Sequence, residues 1–187
     1  TVDLGSFSTG RSTKVYAGEG TNHVDVDQAT IGADLFAQAG AGNDKVHLSD
    51  LTIARSARVY AGDGTNEVAF RQNSSALAVS ITTGLGNDSI DLSESTVNGS
   101  LRILAGGGDN GIELFDLQLL GSTSVLTAEG TDTVAIESST FGTKTLISTG
   151  AGDDTINVER EIPDNNSAST FNGAAAILAG AGENDIV

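Results

Sequence analysis

The chain has 187 residues, of which 25 are acidic and 9 basic, and its formal net charge is -16. This charge repels nucleic acids and anionic membranes and attracts divalent cations, so we expect no nucleic-acid partner and an acidic surface. Cysteine is absent, which excludes disulfides, thiolate metal sites and thiol catalysis. No apolar run reaches the roughly 18 residues of a membrane span, so we expect no membrane insertion.

A glycine-rich turn recurs along the whole chain. Its second glycine falls at positions 20, 42, 64, 86, 108, 130 and 152, with a constant step of 22, and a step of 30 then leads to Gly182. A period held this strictly indicates a repeat architecture, in which each unit stacks on its neighbours.

Short strands are predicted around each turn. Alternating apolar residues follow the turn, as in Val24 and Val26, and precede it, as in Val15 and Val59; a weaker segment lies between them, as in Thr30 and Ile31. This period of two is typical of half-buried strands. Strands this short cannot pair within their own coil, because the turns direct them around a perimeter.

The predicted fold is therefore all-β: a single-stranded parallel β-helix, or β-solenoid, with 22 residues per coil and about eight coils. We predict a right-handed winding, because parallel crossover connections favour that hand. With strands about 4.8 Å apart, the coils would form a rod on the order of 40 Å long.

One β-solenoid domain is predicted over residues 1–187, with an inserted loop at 159–170 that accounts for the step of 30. Residues 1–4 have the register of a strand that follows a turn, and residues 185–187 stop inside the equivalent strand. We expect the chain to be a slice of a longer repeat array, or a unit whose ends stack head to tail.

The turns carry the candidate site. Glycine there is explained by positive φ alone. The residue two places beyond the second glycine, however, is always Asn or Asp, and the two alternate over the first six turns. Stacked carboxylates repel unless a cation or a neutral side chain intervenes. The file is explained either by hydrogen bonds between Asp and Asn, or by Ca²⁺, which prefers oxygen ligands. The candidate ligands are Asp44, Asp88, Asp132, Asp153, Asp154, Asn22, Asn66 and Asn110.

Three turns, Gly40–Val46, Gly84–Ile90 and Gly150–Ile156, resemble the nonapeptide G-G-x-G-x-D-x-U-x of RTX-type repeats. That motif binds Ca²⁺ on a parallel β-helix. The likeness covers only the turns, about a third of the chain. It departs from the family in having a single turn in each period of 22, in lacking the first glycine, and in having Asn at half of the aspartate positions. The resemblance implies a sparser relative, of the kind found in large bacterial extracellular surface proteins, with Ca²⁺ at some turns.

Other patterns leave three alternatives open. Lys14, Arg58 and Arg102 recur on alternate coils beside Tyr16 and Tyr60, a face that could bind a polysaccharide or a neighbouring rod. Parallel β-helices also include polysaccharide-degrading enzymes, but these build clefts from long loops, and here the insertion is single. Ice binding is the third possibility, from a threonine file at positions 30, 52, 96 and 140, which we expect Ser8 and Ser74 to interrupt.

We therefore expect a structural or adhesive β-solenoid at the cell surface or outside the cell: a stalk, spacer or fibre subunit with Ca²⁺ at some turns, and not an enzyme. Its expected partners are divalent cations, further copies of itself or a cell-surface glycan. His23 and His47 are the only histidines, and they are not at equivalent positions of the coil. We therefore assign them no catalytic or metal-binding role.

Overall fold

The computed structural model describes residues 1–158 and 168–187, and these residues contain β-strands and turns but no helix. No helix long and apolar enough to cross a membrane occurs in this part of the chain. The strands, in chain order, are β1 (Val2–Gly5), β2 (Ser8–Thr9), β3 (Thr13–Gly18), β4 (His23–Asp27), β5 (Thr30–Ile31), β6 (Leu35–Ala39), β7 (Lys45–Ser49), β8 (Thr52–Gly62), β9 (Glu67–Arg71), β10 (Ser75–Thr83), β11 (Ser89–Val97), β12 (Leu101–Leu104), β13 (Gly111–Leu119), β14 (Thr123–Leu126), β15 (Thr133–Glu137), β16 (Thr140–Phe141), β17 (Thr145–Ser148), β18 (Thr155–Val158), β19 (Thr170–Phe171), β20 (Ala175–Leu178) and β21 (Asp185–Ile186).

These strands stack into three parallel faces. Face A follows each glycine turn and comprises β1, β4, β7, β9, β15, β18 and β21 with the first halves of β11 and β13. Face B is narrow and contains β2, β5, β16, β19 and the flanking ends of β8, β10, β11 and β13. Face C precedes each glycine turn and comprises β3, β6, β12, β14, β17 and β20 with the second halves of β8 and β10.

The register is the one that the repeat predicts. Val24 is paired with Val46 on face A, and Val15 with Ala37 on face C, in each case at the equivalent position of the next coil. Seven complete turns separate the first glycine corner, at Gly20, from the last, at Gly182. The predicted parallel β-solenoid is thus confirmed. Its right-handed sense remains a prediction.

The core is a single column along the axis of the stack. Alternate residues of each strand point inward, and residues such as Val24, Val26 and Ile103 are fully buried. Phe70 and Phe141 are the bulkiest of the fully buried side chains. Burial of one such large apolar side chain contributes on the order of 2 kcal/mol. Each coil adds similar buried side chains to the column, and it buries them only against its neighbours, so no coil is stable alone.

Two local features interrupt the repeat on face B. Ser75, not Ser74 as predicted, pairs with Thr52 and Thr96, because the preceding corner holds one additional residue and the register returns only at Ala78. After the insertion, Phe171 stacks on Phe141 with ring centroids 4.6 Å apart. Residues 159–167 of the predicted loop lie outside the described residues. Thr170, its last predicted residue, is already in the stack, paired with Thr140.

Over residues 1–158, the coils also turn through positive φ at a second place, between faces A and B, that the sequence did not reveal. In this described part of the chain the residue there is not a glycine, and from Gln28 onward it lies eight positions after the second glycine. Its φ is between 47° and 57° at Ser6, Gln28, Asp50, Gln72, Glu94, Asp116 and Ser138. We call this the second corner, and the glycine turn the glycine corner.

Candidate functional site at the glycine corners

The glycine corner brings consecutive coils into such close contact that a side chain would not fit. Gly42 has a φ of 140°, and a Cβ atom placed on it would lie 2.4 Å from the carbonyl oxygen of Gly20 in the preceding coil. This φ is well beyond the small left-handed region open to L-residues, so only glycine can occupy the position. The close approach aligns the residues that follow in one continuous row.

That row, which we call the inner ladder, comprises Asn22, Asp44, Asn66, Asp88, Asn110, Asp132, Asp154 and Asn184. The four aspartates are buried, with at most 3% of their surface exposed. For these four residues, this corrects the expectation that the acidic residues lie on the surface. Burying an ionised carboxylate is costly unless hydrogen bonds or a positive group compensate for the lost water.

The asparagines of the ladder use their side-chain amide as a cap inside the corner. Asn66 Nδ2 donates to the carbonyl oxygens of Gly62 and Gly64, at 3.1 Å each, and to Asp88 Oδ1 at 2.9 Å. Asn66 Oδ1 accepts from the backbone N–H of Asp44 at 3.1 Å. Asn110 makes the equivalent set of bonds. An asparagine corner therefore has its amide nitrogen surrounded by three oxygen acceptors.

An aspartate cannot supply that donor. Asp44 Oδ1 accepts from the backbone and side-chain N–H groups of Asn22, at 2.7 and 2.9 Å, but its Oδ2 is buried without a hydrogen-bond partner. Asp154 Oδ2 is also buried without a partner. The aspartate side chain thus offers acceptor oxygens only, in a place where the asparagine side chain has a donor.

The type of residue five positions before each ladder residue depends on whether that ladder residue is Asn or Asp. Alanine precedes each asparagine, at Ala17, Ala61, Ala105 and Ala179, whereas threonine precedes three of the aspartates, at Thr83, Thr127 and Thr149. Thr127 Oγ1 donates to Asp132 Oδ2 at 2.6 Å, so this hydroxyl replaces part of the missing amide. Asp44 is the exception, because it is preceded by Ala39, which has no donor to offer.

Burial raises the pKa of Asp88 above its ordinary value of 3.8, against the opposing influence of the Thr83 hydroxyl and the Asn66 amides. The carboxylate form of this side chain is therefore disfavoured in the folded chain. Either a proton or a cation at the corner would relieve the excess of acceptor oxygens.

A second row of polar side chains runs outside the first and points the opposite way along the stack. In this outer ladder, Asn43 Oδ1 accepts from the backbone N–H of Thr65, and Asp109 Oδ1 from that of Thr131. Asp153 accepts from Glu183 in the same manner at 2.8 Å, and is itself exposed. The inner ladder instead accepts from the coil before it. The two ladders together join the backbones of consecutive corners in both directions.

Of the predicted calcium ligands, Asp153 lies in the outer ladder and all the others lie in the inner ladder. Asp132 and Asp154 are the only two inner-ladder aspartates on consecutive coils, and the N–H of Asp132 donates to Asp154 Oδ1 at 2.9 Å. The side chains of Asn22, Asn66 and Asn110 are hydrogen-bonded within the ladder. Over the described residues, no three acidic or histidine side chains form a metal-binding cluster. A cation at a corner would be held by ladder carboxylates, with backbone carbonyls and water as its remaining ligands.

Face A carries a charged cluster beside the corners that the sequence did not reveal. Glu67 lies between Lys45, whose Nζ is 2.6 Å from its Oε2, and His47, whose Nε2 is 2.8 Å from its Oε1. The Lys45 ammonium, and then His47, lower the pKa of Glu67. The His23 and His47 rings are 5.5 Å apart. The sequence did not predict this contact, because His23 and His47 are not at equivalent positions of the coil. They meet diagonally, since His23 is paired with Lys45 and His47 with Asp25.

No family model matches the chain, and comparison with curated proteins and with solved structures finds no match either.

Proposed function

We propose that this chain is an extracellular or cell-surface β-solenoid that acts as a rigid structural or adhesive element, a stalk, spacer or fibre subunit, and has no catalytic step. The observation that supports the proposal best is the continuous stacking of one repeated unit. Each coil repeats the core, the corners and the register, so the length of the rod is set by the number of coils. The chain has no cysteine or methionine, so it has no readily oxidised sulfur, which suits exposure outside the cell.

Deletion of two coils tests the spacer function. The segment Val15 to Asn22 recurs almost unchanged as Val59 to Asn66, so removal of residues 15–58 joins equivalent positions. We expect a folded chain that is shorter by about 10 Å, two strand spacings, in small-angle X-ray scattering. A shortened chain that no longer unfolds cooperatively would contradict the modular design. Turnover of a polysaccharide by the intact chain would contradict the absence of catalysis.

We further propose that Ca²⁺ binds at aspartate corners, as in the RTX-type repeats that these turns resemble. The strongest candidate is the corner of Asp132 and Asp154, because two carboxylates lie there on consecutive coils, one Oδ2 is unpartnered, and Asp153 adds an exposed carboxylate. The glycine carbonyls that an asparagine would cap supply further oxygen ligands. Ligand binding to the folded state alone raises stability in proportion to the logarithm of ligand concentration.

Calorimetric titration with Ca²⁺, repeated with the variant Asp154→Asn, tests this site. We expect saturable binding to the native sequence and at least tenfold weaker binding to Asp154→Asn. The control is Asp116→Asn, which removes an equal charge from the exposed second corner and should bind as the native chain does. Equal affinity for all three chains, or no saturable heat, would overturn the calcium proposal while leaving the spacer function intact.

Extracellular location is tested separately, with an antibody against the purified chain applied to intact cells of the source organism. Labelling of intact cells or of the culture medium is expected. Signal that appears only after lysis would overturn the location.

A further inference from the structure

Faces A and C differ sharply in charge. The strands of face A contain many carboxylates, among them Asp25, Asp91 and Glu113, whereas the eight strands of face C contain no Asp or Glu at all. In a chain with 25 acidic residues, this leaves face C as a neutral to basic surface that runs the length of the described stack.

The cations of face C are not paired. Lys45 and Arg71 on face A each lie within 3 Å of a carboxylate, in Glu67 and Asp91 respectively. No such ion pair involves Lys14, Arg58 or Arg102 among the described residues. In the described part of the stack, three carboxylates border face C. The Ser56 hydroxyl and the charges of Arg55 and Arg58 lower the pKa of Asp34. Glu19 and Asp63 share a groove with Tyr60, and they accept from the backbone N–H groups of Ala41 and Leu85. These three cations lie on alternate coils, about 10 Å apart along the rod.

An aromatic ring lies between the first two cations, because Phe36 pairs with Lys14 on one side and Arg58 on the other. Ser80 has the equivalent position between Arg58 and Arg102. Phe36 is centred 5.5 Å from Tyr16 on one side and 5.5 Å from Tyr60 on the other, so the three rings form an unbroken row over three coils. Tyr16 is 62% exposed and Tyr60 is 40% exposed. We call these three rings with Lys14, Arg58 and Arg102 the basic strip.

We propose that the basic strip binds a linear anionic polysaccharide, with the sugar rings against the aromatic row and the carboxylates of alternate sugars near the three cations. Exposed aromatic rings offer a flat apolar body with polar hydroxyls, which suits the apolar face and hydroxyl edge of a sugar. The spacing of one cation per two coils fits a polymer that is charged on every second unit. Nucleic acid is charged at every unit and does not match this spacing.

Instead of a polysaccharide, the acidic face A of a second copy of this chain could cover the strip. It is a poorer match, because two of its carboxylates already form ion pairs, Glu67 with Lys45 and Asp91 with Arg71. A polysaccharide also follows the axis of the rod without requiring two rods to lie in register.

The experiment uses hyaluronan, a linear polymer with one carboxylate per disaccharide. Tyr16 and Tyr60 are the only tyrosines, and tryptophan is absent, so intrinsic fluorescence reports on the strip alone. We expect a saturable change in tyrosine emission that weakens as salt is added. Carboxyl-reduced hyaluronan, which is the same polymer without its charge, should bind at least tenfold more weakly.

Paired variants locate the binding surface. The double variant Arg58→Gln/Arg102→Gln should weaken binding at least tenfold, whereas Lys45→Gln/Arg71→Gln, with the same charge change on face A, should bind within about twofold of the native chain. Circular dichroism melts verify that both variants are folded. Equal binding by the first variant, or equal binding of the reduced polymer, would overturn the proposal.

Two further outcomes would also overturn it. Competition by oligothymidylate at the same concentration would assign the strip to nucleic acid. Self-association without polymer, detected by sedimentation and lost in Arg58→Gln/Arg102→Gln, would assign it to a second copy. Monomeric behaviour without polymer, together with no competition by oligothymidylate, supports the polysaccharide.

Discussion

The coils between residues 1 and 158 pass through positive φ at two corners, and the two corners use different residues for it. At the glycine corner φ reaches 140° at Gly42 and the neighbouring coil is in contact, whereas at the second corner φ stays between 47° and 57° and the side chains are mostly exposed. The left-handed region near 57° is open to L-residues at modest cost, but the region beyond it is open only to glycine. The comparison shows that positive φ alone does not require glycine; the exact φ and the space next to Cα do.

The difference also concerns what each corner buries. The glycine corner encloses the inner ladder of Asn and Asp, and the second corner exposes residues such as Glu94 and Asp116. A charged side chain in the inner ladder therefore needs compensating hydrogen bonds, whereas a charged side chain at the second corner is solvated by water. The following predictions test this contrast, from the largest effect to the smallest.

Replacement of the second glycine should have the largest effect. In Gly86→Ala the new Cβ would lie 2.3 Å from the carbonyl oxygen of Gly64, at a φ of 127°. We expect a loss of about 3 kcal/mol or more in the free energy of unfolding, measured by urea denaturation. Gly107→Ala is the control, because its Cβ would meet nothing closer than 3.4 Å, and it should cost less than about 1 kcal/mol. Equal losses would refute the steric argument.

Asn66→Asp should have the next largest effect. It removes the amide that caps the corner and places carboxylates on three consecutive coils, at 44, 66 and 88. We expect a loss of about 2 kcal/mol at neutral pH in the presence of a chelator. The reverse exchange, Asp44→Asn, keeps Ala39 before the new asparagine as in the natural asparagine corners, and should raise stability by about 1 kcal/mol. If both exchanges destabilised the chain, the ladder would not be limited by its excess of acceptors.

Asp88→Asn should change how stability depends on pH. The pKa of Asp88 is raised in the folded chain, so its contribution to stability is complete below the unfolded pKa and is lost as pH rises through the folded pKa. The native chain should therefore lose stability relative to Asp88→Asn as pH is raised from below 3.8 to neutrality. Urea midpoints of both chains, measured across this range with chelator present, provide the test. Parallel pH profiles would show that burial does not perturb this carboxyl.

The second corner should respond least. Glu94 has a φ of 50° and is exposed, so Glu94→Gly relieves a mildly unfavourable conformation but adds flexibility to the unfolded chain. We expect a stability within about 1 kcal/mol of Glu94→Gln, which serves as the reference with the same loss of charge. A loss comparable to that of Gly86→Ala would mean that the two corners are equally constrained.

Much of the fold could be predicted because the repeat is strict. The spacing of the second glycines and the inward residues, such as Val15 and Val24, was sufficient to predict the coils, their register and the parallel stacking. The shift to Ser75 was missed because the additional residue lies between two glycine turns whose spacing is unchanged. The second corner was missed because Gln28 and Glu94 carry no glycine signal for positive φ.

The candidate site was predicted only in outline. The alternation of Asn and Asp indicated either a hydrogen-bonded ladder or calcium, and the structure shows the ladder in atomic detail. The sequence did not indicate that Asp44 and Asp154 each have a buried oxygen without a partner. Which carboxylate oxygen lacks a partner depends on which one accepts the hydrogen bonds of the neighbouring coil. The residue pattern alone does not specify this.

By itself, the sequence determined the architecture, because a strict period with glycine and β-branched residues at fixed positions permits only stacked coils. Tertiary structure alone decided which side chains meet across coils. It brought His23 towards His47, joined Tyr16, Phe36 and Tyr60 into one row, and placed every strand carboxylate away from face C. The physical reason is that the lateral neighbours of a residue in a solenoid lie a full coil away, so their chemistry appears only when the coils are superimposed.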